Sequence, residues 1–96
     1  MKLQQLRCVY QIVKNGFNIS KAAESLHTSQ PGVSKQIQLL EDEVGIKIFQ
    51  RNGKRLTGFS EAGNALYKSI SEIIREVANI KNISNEYEKD DTGGFT

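Results

Sequence analysis

A mainly α fold class is predicted by three observations. Residues 19–40 read as two short helices joined by a tight turn. Asn52-Gly53 lies between two short strand-like runs, and apolar residues from Leu66 onward repeat with heptad spacing. Three helices and a β-hairpin make a winged helix-turn-helix, and the heptad stretch adds a long dimerisation linker helix. The chain is expected to divide into a winged helix-turn-helix at 1–59, with the helix-turn-helix itself at 19–40. A linker helix at 60–87 and a hinge at 88–96, leading to a C-terminal domain absent here, are expected to follow.

The first helix is predicted over residues 3–15. Leu3, Leu6, Tyr10, Val13 and Phe17 recur at intervals of three and four, with Val9 beside them, and Gly16 stops the run. Cys8 falls off that stripe and reads as a surface or half-buried thiol. Asn18 or Ser20 caps the second helix, which runs to about Leu26. Ala22 and Ala23 are small enough for another helix to cross closely. His27-Thr28 forms the turn, and His27 is expected in the left-handed conformation, which His tolerates better than most residues.

Ser29 is a good N-cap for the third helix. Pro31 is tolerated in its first turn, where the missing N–H has no intrahelical partner. Val33, Ile37 and Leu40 form the inward stripe, Ser34, Lys35 and Gln38 lie off it, and Gly45 ends the helix. Glu41-Asp42-Glu43 opposes the macrodipole near the helix C-terminus and reads as a solvated face, with pairing to nearby basic groups as the alternative. Ile46 and Ile48 then alternate with polar residues towards Arg51, and Asn52-Gly53 is the hairpin signal. The tip of that hairpin carries Arg51, Lys54 and Arg55.

Ser60 caps the last helix. Leu66, Ile70, Ile73, Val77 and Ile80 step by four and three, with Ile74 and Ile83 broadening the stripe. From Ser60 to about Tyr87 the helix spans on the order of 40 Å. The few short helices of this domain cannot cover so long a stripe. Its first two turns are expected to pack on their own domain, and its far half on a second copy of the same helix. Beyond Tyr87 the composition turns polar and includes Gly93-Gly94, so disorder is expected there.

Net charge is only +2, but residues 1–57 carry +5 and residues 58–96 carry −3, so a polyanion would bind the first half. One cysteine, Cys8, rules out an internal disulfide. No stretch has the apolar length of a membrane span, and the N-terminus lacks a signal-peptide core, so a cytoplasmic protein is expected. One His and one Cys make no metal-ligand set. Gly93-Gly94 follows no strand and makes no phosphate loop, and no partner group is placed to activate a Ser or Lys. Neither catalysis nor a cofactor is expected.

A helix whose first turn offers slim and hydrogen-bonding groups suits the DNA major groove. Gln30 can reach a base edge or a phosphate, and Lys35 can donate to guanine O6 and N7. Pro31 and Gly32 allow close approach, and Ser34 can donate to a base or phosphate. Gln38 shares their outer face. Ser29 opens a helix start whose free N–H groups can hold phosphate, and Thr28 and Lys21 can contact the backbone. Arg51, Lys54 and Arg55 can enter the adjacent minor groove or hold phosphate.

These residues also carry a family resemblance. Ala22-Ala23-Glu24-Ser25-Leu26, Ser29-Gln30-Pro31-Gly32-Val33-Ser34, Ile37 and Leu40-Glu41 resemble the N-terminal domain of LysR-type transcriptional regulators. The resemblance continues through Gly45-Ile46, Ile48-Phe49, Arg51, Leu56-Thr57 and Glu61-Ala62-Gly63, and covers about residues 1–87. Residues 1–7, 28–37 and 53–57 are most similar to the CysB/Cbl subgroup. Two departures stand out: Ile48-Phe49 replaces the Leu-Phe of many members, and Thr57-Gly58-Phe59-Ser60 is longer than usual. The resemblance implies a bacterial regulator, tetrameric at full length, whose linker helices pair two DNA-binding domains. It implies a small effector sensed by a C-terminal periplasmic-binding-protein-like domain, and, for the subgroup, control of sulfur assimilation, cysteine or sulfonate genes.

The expected function is sequence-specific binding of double-stranded promoter DNA by a homodimer. Two recognition helices would enter successive major grooves about 34 Å apart, or a multiple of that. The alternative is a winged helix used for protein association without DNA.

Overall fold

The computed structural model describes the backbone of residues 1–95 and the side chains of residues 1–88. Five short elements lead into one long one: α1 (Leu3–Lys14), α2 (Ile19–Ser25), α3 (Gln30–Val44), β1 (Phe49–Asn52), β2 (Arg55–Phe59) and α4 (Glu61–Phe95). The core comprises Leu6, Val9 and Ile12 of α1, Ala22 and Ala23 of α2, and Val33, Ile37 and Leu40 of α3. Ile48, Phe49, Leu56 and Ile70 close it from the hairpin and α4.

Cys8 corrects the expectation of a surface or half-buried thiol, since it is 1% exposed, while Leu3 on the expected stripe is exposed. Helix α1 packs against α3 and also against α4, so it buries a wider arc than a helix lying on one support. Burial pushes the Cys8 thiol pKa up. Its contribution to stability is therefore full below the unfolded thiol's titration range and is lost as pH rises through the folded value. Cys8 is expected to resist iodoacetamide in the folded chain and to react once urea unfolds it. Rapid mass addition under native conditions would contradict this packing.

Helix ends follow the residues that cap them. Phe17 N–H donates to the Ile12 carbonyl at 2.7 Å and Gly16 N–H to Val13 at 3.1 Å, closing α1 in a Schellman motif. Helix α2 ends the same way, with Thr28 N–H on Ala23 at 3.0 Å and His27 N–H on Glu24 at 3.1 Å. His27 takes the left-handed position (φ +55°), as expected. Of the two candidate caps for α2, Asn18 is the one used, accepting from Lys21 N–H at 2.9 Å. Ser29 accepts from Gly32 N–H at 3.1 Å at the start of α3.

The hairpin turn sits one residue later than the Asn52-Gly53 signal. Asn52 pairs with Arg55, so Gly53 and Lys54 form the loop. Gly53 takes the positive φ (+65°) that the first central position of a type II′ turn requires. A bulge shifts the register, pairing Gln50 with Gly58 but Arg51 with Leu56 and leaving Thr57 unpaired. This accommodates the long Thr57–Ser60 segment.

Glu41 corrects the reading of residues 41–43 as a solvated face. It is 4% exposed and its carboxylate accepts Ile48 N–H at 2.8 Å, with Lys47 Nζ at 3.9 Å. The other side of the same peptide segment is held by α4. Ser60 N–H donates to the Ile48 carbonyl at 2.9 Å, and the Ser60 hydroxyl donates to Lys47 O at 2.5 Å while accepting Gly63 N–H at 2.8 Å. The entry to the hairpin is thus clamped between α3 and the start of α4. Glu43 accepts the N-terminal ammonium at 2.8 Å.

Helix α4 is longer than the expected 60–87 stretch and runs to Phe95. Residues 88–95, where disorder was expected, continue the backbone of α4 instead, and Thr96 lies outside the described residues. Ile70 is 3% exposed within the domain's own core, and Leu66, Tyr67 and Ile74 pack against that core. Ile70 therefore corrects the expected dimer seam: its side chain is already covered intramolecularly. The remaining stripe is open, with Ile73 42%, Ile80 65% and Ile83 45% exposed and Val77 half-buried. Tyr87, seven residues beyond Ile80 on the same seam, is 65% exposed.

Candidate nucleic-acid interface

Three segments meet around an open cleft of about 950 Å³. The α1–α2 connection and the first turn of α2 supply Gly16, Phe17, Asn18, Ile19 and Ser20, the start of α3 supplies Gln30, Pro31 and Ser34, and the hairpin supplies Arg51 and residues 53–56. Among the described residues three cations, Arg51, Lys54 and Arg55, line it, and no carboxylate does. Among the described residues none of Lys21, Lys35, Arg51, Lys54 and Arg55 forms an ion pair. The acidic residues of α3, Glu41 to Glu43, sit at its opposite end. A polyanion would therefore meet uncompensated positive charge at one end of α3.

The cleft brings together Gln30, Pro31, Ser34, Arg51, Lys54 and Arg55 of the residues expected to contact DNA. Lys35 and Gln38 lie outside it, exposed on the outer face of α3 one and two turns on, while Val33 and Ile37 anchor the other face in the core. Lys21, Thr28 and Ser29 are exposed around the turn, and Gly32 is half-buried. Its slimness is used within the fold: a methyl group there would stand 3.0 Å from Thr28 Oγ1 and 3.1 Å from Ser29 Oγ. Ser29 has its hydroxyl occupied by the cap.

Sequence reading missed what holds the hairpin in place. Phe17 and Phe59 meet edge-on at 5.2 Å, Phe17 and Phe49 edge-on at 6.0 Å, and Phe49 stacks on Phe59 at 6.0 Å. Tyr67 of α4 lies 5.2 Å from Phe59 and stacks on Tyr10 at 6.4 Å. Phe17 has φ +64°, a conformation that costs about 1–2 kcal/mol for a side chain of its kind. The Schellman motif and these ring contacts hold it there. Burial is the leading cause of a raised Tyr67 pKa, with Tyr10 adding to it and Arg75 opposing it. Ser20 and Asn18 also escaped as cleft residues, because their signal was that of caps. Among the described residues no three His, Cys, Asp or Glu side chains are grouped as metal ligands, and no helix is long and apolar enough to cross a membrane.

Residues 3–64 match the family described as bacterial regulatory helix-turn-helix protein, lysR family. The chain belongs to this family. This LysR-family chain is 44% identical over 96 residues to the HTH-type transcriptional regulator CysB of Burkholderia cenocepacia, covering all of the chain and 31% of that relative. It is 40% identical over 96 residues to the HTH-type transcriptional regulator cbl of Escherichia coli, again covering the whole chain and 30% of that relative. The chain thus spans less than a third of the length of these relatives. Among solved structures it resembles the CbnR DNA-binding domain complexed with DNA, with a TM-score of 0.76, 26% identity, and 92% and 99% of the two chains covered. It also resembles the BenM DNA-binding domain on benA site 1 DNA, with a TM-score of 0.79, 27% identity, and 92% and 97% covered. The fold is a winged helix with a long linker helix, in the LysR family.

Proposed function

We propose that this chain binds double-stranded promoter DNA sequence-specifically, as part of a dimeric transcriptional regulator. The observation that carries the reading is the acid-free cleft in which three unpaired cations of the wing accompany the slim first turn of α3. Two similar domains, those of CbnR and BenM, were solved with DNA, which supports it. Pro31, Ser34, Lys35 and Gln38 meet base edges, Lys21, Thr28 and Ser29 the backbone, and Arg51, Lys54 and Arg55 phosphate or the adjacent minor groove. Residues 1–59 form the DNA-binding unit and 60–87 the linker. Two copies join along the exposed seam of Ile73, Val77, Ile80 and Ile83, flanked by Leu66 and Ile74.

The likeness to CysB and cbl supports control of sulfur, cysteine or sulfonate genes from the cytoplasm, with no catalysis. Binding of a small effector and assembly to a tetramer are assigned in this reading to the whole regulator, since the chain spans less than a third of the length of the relatives it matches. Titration of duplex DNA at two salt concentrations tests the reading, because phosphate contacts make affinity fall steeply with salt. A chain that ignores every duplex at low ionic strength yet still self-associates supports the protein-association alternative instead.

Lys35→Ala is expected to weaken binding to the selected site by about 5- to 100-fold and to relax one base preference. Equal loss on every duplex would reduce Lys35 to a phosphate contact.

A further inference from the structure

Gln30 begins α3 with its side chain already held. Its Nε2 donates to the Ser20 hydroxyl at 3.1 Å, joining the first turn of α3 to the first turn of α2. Both residues are exposed, and both line the cleft shared with Arg51, Lys54 and Arg55. Ser20 is not needed as a cap, since Asn18 fills that position. The bond between two solvent-exposed side chains contributes little to folding, so its consequence lies in the geometry it imposes.

A free glutamine turns about three side-chain torsions and presents its amide either way round, and that freedom is lost on binding. With one N–H given to Ser20, the carboxamide keeps Oε1 and a second N–H. Those are the acceptor and donor that a bidentate contact with adenine uses.

We infer that Ser20 is a specificity-positioning residue, its hydroxyl orienting the Gln30 carboxamide towards a base edge. This deepens the DNA-binding reading and rests on it. The Ser20 side chain acts through Gln30, so its removal weakens the base preference at one position of the site.

The test uses the 96-residue chain. Duplexes are selected from a random pool with the wild-type chain. The selected duplex and its single-base variants are then titrated with wild type, Ser20→Ala, Gln30→Ala, the double variant and Ser20→Thr. Circular dichroism checks that each variant keeps its helices, which alanine at an exposed helical position favours. Ser20→Ala is expected to lower discrimination at one base pair by about 3- to 10-fold, the effect of one net hydrogen bond, and to leave the other positions unchanged. The double variant should match Gln30→Ala, and Ser20→Thr should restore the preference.

A Ser20→Ala profile identical to wild type overturns the assignment. So does a uniform loss on every duplex with the Gln30 preference intact, which makes Ser20 a phosphate contact. A Gln30→Ala variant that keeps every base preference overturns it as well. These results are distinct from a wild-type chain that binds no duplex at low salt, which removes the DNA reading and this inference with it.

Discussion

Gly63→Ala is expected to cost about 3 kcal/mol of folding stability, the scale of a serious overpacking. A methyl group on Gly63 would overlap the Ile48 carbonyl oxygen and stand 2.7 Å from the carbonyl carbon and 2.9 Å from the Ile48 Cα. All three are backbone atoms, so no side-chain rotation relieves the contact. The Ile48 peptide cannot retreat either, because Glu41 holds its N–H at 2.8 Å and Ser60 N–H holds its carbonyl at 2.9 Å. Alanine's better helix propensity returns only about 1 kcal/mol, so the clash wins. Domains of this size have about 5–15 kcal/mol in total, and the loss should be plain in a urea midpoint. Asn64→Ala, at the exposed neighbouring position, should shift the midpoint little. A Gly63→Ala midpoint equal to wild type would mean that α4 does not approach the hairpin entry this closely.

Replacing Arg51, Lys54 and Arg55 together with alanine is expected to weaken DNA binding on the order of 100-fold at low salt, on every sequence alike. The three side chains are exposed and form no ion pair among the described residues, so the fold should survive their loss. If each neutralises a phosphate, the slope of log affinity against log salt becomes shallower by about 2 to 3. Lys35→Ala should change the slope by at most about 1 while relaxing base preference, so the two variants separate holding from reading. An unchanged slope in the triple variant would remove the wing from the interface.

The helix-turn-helix was legible because local rules determine it. Ser29, Pro31 and the Val33-Ile37-Leu40 stripe specify a helix start and an inward face whatever surrounds them, and His27 signals a left-handed turn through its own tolerance. The open heptad stripe was equally legible from Ile73, Val77 and Ile80, since its spacing belongs to one helix. Long-range partners were not. Glu41 read as solvated because nothing in its neighbourhood announces the Ile48 amide it accepts. Cys8 read as peripheral because α1 packs against α2, α3 and α4 together, and that wider burial is set by segments distant in the chain. The hairpin signal was right in kind and one residue off, because the pairing of Asn52 with Arg55 chooses among turns that Asn52-Gly53 alone permits.

By itself the chain's order of residues determined the elements, the caps of α3 and α4 and the polar face of α3, since each depends on contacts within a few residues. Only the tertiary structure decided how Ser20 meets Gln30, how the aromatic rings hold the wing beside α3, and how much of α4 remains open. Those depend on which segments pack together, and closing such distances is settled by the shared core and not by any local preference.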